Sequence, residues 1–235
     1  MNIKLDTTGD QFLNCDLKIL TAFQVEVSTS KGKKKSAKTT ESPVSIAHWG
    51  NKTLVEEFMG LRAAATFKAS KDETLTFTGP LGETVLVVGL GNKEKFDDES
   101  IRKSVAKAYK ANASKYSTIG IDVEGFNTIE DDIQTVALIA ESIGMCDYSY
   151  EQYKSKKQEK SDCTVFLAVD KKNAPKIQKE LASVKNITSS INVARDFVNE
   201  VPNVLNSVEY AKRVEADVKK NLKGVKIKIL NKAQL

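Results

Sequence analysis

Four residues that could do chemistry crowd into six positions of the stretch VARDFVNEVPN: Arg195, Asp196, Asn199 and Glu200. Two carboxylates, a guanidinium and an amide at this spacing can exchange protons, bind an ion or build a network of ion pairs. Carboxylates next to a fixed cation keep their charge, which suits a fastening role as well as a reactive one. Other candidates are sparse. His48 is the single histidine, so a nucleophile–histidine pair has to use it, and SIAHWG around it carries no supporting motif. Cys15, Cys146 and Cys163 are an odd, widely spaced set, which suits buried thiols better than a disulfide framework or zinc-ligand spacing. The acidic pairs Asp97–Asp98 and Asp131–Asp132 fall at expected helix starts, where capping accounts for them.

Phosphate chemistry has two candidates. In VVGLGNKEKF a strand runs into Gly89 and Gly91, but the dinucleotide fingerprint requires a third glycine where Glu94 stands. No Gly-Lys-Ser/Thr follows either, and a turn needing unusual backbone angles explains both glycines. KGKKKSAK at 31–38 places five lysines in eight residues. Lys33, Lys34 and Lys35 could contact DNA phosphates, although no aromatic residue is interleaved to stack on a base. A solvated loop between two strands is the other reading of that run.

The elements that must position these groups alternate. CDLKILTAFQVEVS (15–28) reads as one or two strands, 54–67 as a helix, and ETLTFTG and ETVLVVGLG as consecutive strands. Residues 97–116 form an amphipathic helix with Ile101, Val105 and Ala108 or Tyr109 inward. STIGIDVEG is a strand, NTIEDDIQTVALIAESIGMCDY a largely buried helix opening on a capping box at Thr128, and CTVFLAVD a strand. An apolar stripe from Ile177 to Val198 then predicts one long helix, stopped near Glu200 by Pro202. A helix from Ser207 and an alternating strand, VKIKIL, complete the chain. This order is an α/β fold with a mostly parallel or mixed sheet. A net charge of +5, 40% hydrophobic residues and no apolar run of membrane-spanning length describe a globular chain. No secretory pattern opens it, and a cytoplasmic location with no membrane partner is expected.

Three stretches carry a family resemblance. TLTFTGPLGETVLVVGLGNKEKFDDESIRKSVAKA resembles the middle of the N-terminal domain of the leucyl aminopeptidases, two-metal exopeptidases of the cytosol aminopeptidase family. CDYSYEQYKSKK is similar to the tyrosine- and lysine-rich segment that follows in that family. ARDFVNEVPN resembles the family's entry into its catalytic domain, usually Ala-Arg-Asp-Leu-Val-Asn-Glu and then Pro-Pro-Asn; Phe197 and Val201 depart from it. The resemblance spans most of residues 60–235. It implies a macro-domain-like N-terminal domain (1–172) with a mixed sheet flanked by helices, a connecting helix (173–201), and the start of a second, catalytic α/β domain (202–235). It also implies peptide substrates, two divalent ions (manganese or zinc) in the whole enzyme, and a homo-hexamer. The family's Asn-Thr-Asp-Ala-Glu-Gly-Arg and Asp-Ser-Gly-Gly runs do not occur here. No catalytic, metal-binding or cofactor-binding residue is therefore assigned to this chain, which is expected to be inactive alone. Arg195, Asp196, Asn199 and Glu200 become the interdomain joint. The alternative is a binding module for DNA, through the lysine run, or for ADP-ribose, through the GLGN turn.

Overall fold

The computed structural model describes residues 2–24, 60, 66–79, 81–126, 132–157 and 162–234. His48, the lysine run and the Thr128 capping box lie outside these residues, as does nearly all of the expected helix at 54–67.

Among the described residues six strands make one mixed sheet: β1 (Ile3–Asp6), β2 (Leu17–Phe23), β3 (Thr74–Thr78), β4 (Thr84–Gly91), β5 (Thr118–Asp122) and β6 (Thr164–Ala168). Their order is β1-β6-β5-β2-β4-β3. Every neighbouring pair is parallel except β3–β4, a hairpin at whose end the Gly79 amide donates to the Glu83 carbonyl at 2.8 Å. The mixed sheet agrees with the sequence reading, but β1 was not among the expected strands. It is short, sits at the sheet edge on β6, and ends on Asp6. The Asp6 carboxylate accepts from the amides of Gly9 (2.9 Å) and Phe12 (2.7 Å), and so pins the one-turn helix α1 (Asp10–Leu13).

Parallel strands are joined by crossovers, which cover the sheet faces. On one face Leu17, Ile19, Leu86, Val88, Ile119 and Ile121 pack beneath α2 (Asp98–Asn112) and α3 (Asp132–Cys146). Ile101 and Val105 of α2 point inward as their spacing predicts, and Ala108 and Tyr109 are both buried rather than one of them. Asp97 caps α2, its carboxylate accepting from the Ser100 amide at 2.8 Å. On the other face Phe12, Leu20, Phe77, Val85 and Val87 form a second cluster. Central β2 is thus covered on both sides. Its partial alternation in sequence comes from Lys18 and Thr21, both buried; Lys18 is only 1% exposed and meets Glu83 at 2.6 Å. Burial disfavours the Glu83 charge, but the Lys18 hydrogen bond holds that carboxyl below its ordinary range.

The long helix α4 (Ala174–Asn199) has 26 residues, with Pro175 in its first turn. Packed on α3, it buries Ile177, Leu181, Val184 and Thr188 and nothing further along. The apolar stripe read from sequence continues to Val198, yet Ile187 is 46% exposed and Val198 84% exposed. Helix α5 (Ser207–Asn221), capped by Asn206, buries no residue at all. VKIKIL departs from expectation: residues 225–230 form no strand and are exposed. Alternation supplies the right side-chain pattern, but a strand also needs a neighbour for its backbone groups, and no described residue pairs with it.

The glycines of the GLGN turn are needed for packing. A Cβ on Gly89 would lie 2.3 Å from the Ser70 carbonyl oxygen, and Gly91 has φ +78° against Lys71. Replacing Gly89 with Ala is therefore expected to destabilise the domain by about 1–3 kcal/mol, as forced overpacking does. Urea unfolding of the variant beside the parent chain measures this; equal midpoints would contradict it.

Candidate functional site

The candidate residues gather where α4 ends. Residues 147–157, α4 and α5 converge there around a cleft of about 370 Å³, with Tyr150, Glu151, Asp196, Phe197, Glu200 and Arg213 among its lining residues.

Arg195 looks back toward α3. Its guanidinium donates to the Met145 carbonyl at 3.2 Å and lies over the Tyr148 ring, 3.9 Å from the centroid. One turn earlier, the Asn192 amide donates to the Gly144 carbonyl at 3.5 Å. The last carbonyls of a helix lack partners within it and carry partial negative charge, so a cation placed there acts as a cap. Arg195 thus caps α3 from a neighbouring helix and stacks on an aromatic face at the same time. Asn199 donates to the Tyr148 hydroxyl at 2.9 Å. Asp196 is exposed. Burial and the Asp196 carboxylate push the Tyr148 phenol up, against the opposing effect of the Asn199 hydrogen bond.

Glu200 is the hub. The first residue beyond α4, it keeps its side chain only 3% exposed. One carboxylate oxygen accepts from the Tyr153 hydroxyl and from the Val201 amide (3.1 Å); the other accepts from Arg213 at 3.1 Å. Arg213 reaches back one turn along α5 to Glu209 at 3.0 Å. Phe197 meets Tyr210 edge-on, with ring centroids 5.1 Å apart, which adds an apolar contact between α4 and α5. The Tyr153 hydrogen bond and the Arg213 guanidinium hold the Glu200 carboxyl at about 2, although desolvation opposes this. Conversely, burial and the Glu200 charge push the Tyr150 phenol up to about 12. Glu200 is thus held as a carboxylate and Tyr150 as a neutral phenol, and neither group titrates near neutrality.

The structure therefore brings Arg195, Asn199 and Glu200 into one network with the 147–157 segment, and Asp196 onto the rim of the cleft. Sequence reasoning did not assign the partners: Tyr148, Tyr150, Tyr153, Arg213 and the Met145 carbonyl. Three tyrosines within six residues of DYSYEQY, beside a helix ending in carboxylates, were the available signal. Lys33, Lys34 and Lys35 lie outside the described residues. The GLGN turn is no phosphate cradle, because its glycine amides are already committed: Gly89 donates to Glu73 at 2.7 Å and Gly91 to Ala69 at 2.9 Å. Among the described residues no three His, Cys, Asp or Glu side chains converge to hold a metal ion, and no helix is long and apolar enough to cross a membrane.

Comparison with known proteins places this arrangement. Residues 51–157 match the N-terminal domain of the cytosol aminopeptidase family. The chain carries that N-terminal domain. A probable cytosol aminopeptidase of Rhizobium etli is 33% identical over 178 residues, covering 73% of this chain and 35% of the relative. One from a Sulfurihydrogenibium species is 31% identical over 153 residues, covering 64% and 30%. The chain thus spans about a third of the length of the curated relatives it matches. Among solved structures, a tomato leucine aminopeptidase variant superposes over all of this chain and 45% of its own, with TM-score 0.72 and 17% identity. That likeness bears out the fold.

The Glu200 hub gives the domain a pH dependence of known sign. Its folded pKa of about 2 lies below its ordinary value of 4.5, so the unfolded chain takes up the proton first as pH falls. The stabilisation is complete above about 4.5 and disappears as pH drops toward 2. Thermal unfolding of the parent chain and a Glu200→Gln variant is expected to show a stability gap at neutral pH that closes near pH 2. A gap that stays constant with pH would contradict this account.

Proposed function

We propose that the chain is the non-catalytic N-terminal part of a cytoplasmic leucyl aminopeptidase, an enzyme that removes N-terminal amino acids from peptides using two divalent ions, manganese or zinc. The observation that carries this reading is the match of residues 51–157 to the cytosol aminopeptidase N-terminal domain. The described residues do not fit a two-metal centre, so no step of the hydrolysis is assigned to them. Metal ligands and the peptide site are assigned to the portion of the relatives that this chain does not match.

In this reading residues 1–172 are the macro-like domain, 173–201 the connecting helix, and 202–235 the beginning of the catalytic domain. Several features support that division. Burial along α4 ceases at Thr188, α5 buries nothing, and Val225, Ile227 and Ile229 stand exposed with the alternation of a strand. Pairing with strands of the catalytic domain would turn that segment into sheet. Arg195, Asp196, Asn199 and Glu200 then serve as the joint, setting the direction in which the chain leaves the first domain. Assembly into a hexamer belongs to the whole enzyme. A DNA- or ADP-ribose-binding module is the less favoured reading, since the named relatives are aminopeptidases and the GLGN amides are occupied.

Purified 235-residue chain supplied with manganese is expected to leave leucyl-p-nitroanilide intact. Native protein isolated from its source is expected to hydrolyse it, losing activity to a chelator and regaining it with manganese or zinc. Turnover by the 235-residue chain, or an inert native protein, would overturn the proposal.

A further inference from the structure

We infer that α4 carries a hinge at residues 188–190, held closed by a latch of polar contacts near its far end, so that the second half of α4 and α5 can swing as one body. The inference does not rest on the aminopeptidase reading, because every group involved belongs to the described chain. Composition marks the place first. Residues 186–192 read NITSSIN, seven positions without one strong helix former, inside a helix of 26 residues. Isoleucine and threonine lose rotamer freedom in a helix, while serine and asparagine compete for its backbone groups.

That competition is explicit in the structure. The Thr188 hydroxyl donates to the Val184 carbonyl at 2.9 Å, with the Lys185 carbonyl at 3.2 Å as its alternative acceptor. The Ser189 and Ser190 hydroxyls both donate to the Asn186 carbonyl, at 2.8 and 2.9 Å. Back-bonding of this kind weakens and bends helices, and paired small residues are common sites of kinks. The three hydroxyls also stand where core packing stops, Thr188 being the last buried residue of α4.

On the near side of the hinge Ile177, Leu181 and Val184 hold the helix in the core. On the far side α4 buries no residue and is fastened by polar contacts. Asn192 and Arg195 donate to the last carbonyls of α3, Asn199 donates to the Tyr148 hydroxyl, and Glu200 accepts from Tyr153. Water can replace each of these partners, so little is lost per bond when the latch opens. Arg195 is its strongest member, because its contact is charged and its guanidinium also stacks on Tyr148. The contacts of Glu200 with Arg213 and of Phe197 with Tyr210 lie wholly beyond the hinge, and they travel with the moving part.

The test is a set of amide proton–nitrogen residual dipolar couplings, measured on the isotope-labelled 235-residue chain aligned in a stretched gel. In the parent chain the couplings of 176–187 and 191–199 are expected to fit one alignment tensor. In Arg195→Ala those of 191–199 and of α5 are expected to lose amplitude against the first half, while slow amide exchange shows that 191–199 stay helical. Adding Ser189→Ala and Ser190→Ala, at exposed positions, removes two of the back-bonds and is expected to restore the common tensor. Parent-like amplitudes in Arg195→Ala would overturn the inference, and so would a parent chain whose two halves already differ. Fast exchange through 191–199 in Arg195→Ala, the mark of fraying, or no recovery in the triple variant would overturn it equally.

Discussion

A parallel strand has to be covered on both of its faces, and β2 is where this fold meets that constraint most tightly. Strands β5 and β4 flank it, one cluster packs above it and another below, and no part of it reaches an edge. Every neighbour follows from this placement. The helices α2 and α3 must close one face; α1 and the aromatic side chains Phe67 and Phe77 help to close the other. Lys18 shows how strict the arrangement is. A lysine at this position has no route to water, so its charge is met inside the protein by Glu83, the residue before β4. Such a pair adds little net stability over apolar residues of similar volume, but either partner alone would be a buried, uncompensated charge. The pair therefore ties the register of β2 to that of β4.

The same logic of pairing runs through the end of α4, with a different purpose. In the core, charges are matched because they cannot reach water. At the end of α4 they are matched to hold three pieces of chain at one point. Glu200 accepts from the 147–157 segment, from its own chain just beyond α4, and from α5. Arg195 and Asn192 close the end of α3. A helix with few apolar contacts in its second half is held there by directional polar bonds instead. Such bonds set an angle more sharply than apolar packing does, because hydrogen-bond strength depends on geometry.

Much of this was legible in the sequence, and the failures have physical causes. Strands β4, β5 and β6, the helices α2 and α3 and the stop of α4 before Pro202 all follow local rules of apolar spacing, capping and proline sterics. β1 escaped because its four residues, IKLD, include an exposed lysine and sit at an edge, where only one neighbour dictates pattern. Lys18 interrupts the apolar run of β2 in the sequence, and the identity of a buried charge reveals nothing about its partner 65 positions away. VKIKIL erred in the opposite direction: period-two alternation is necessary for a half-buried strand but does not create the adjacent strand. The candidate site was read half-correctly for the same reason. Arg195, Asn199 and Glu200 were visible as a polar cluster on one helix, whereas their tyrosine partners come from a segment some fifty residues earlier.

The length of α4 has a mechanical side. Twenty-six residues make a rod of about 39 Å at 1.5 Å per residue. Its last core residue, Thr188, lies eleven residues before its end, leaving an overhang of about 16 Å. Any small tilt at the core would be magnified along that overhang, as at the tip of a cantilever. The bond from Arg195 to the end of α3 braces the rod four residues from its tip. The unsupported span falls to about 6 Å, and the heading of the polypeptide beyond Glu200 is fixed with correspondingly less play.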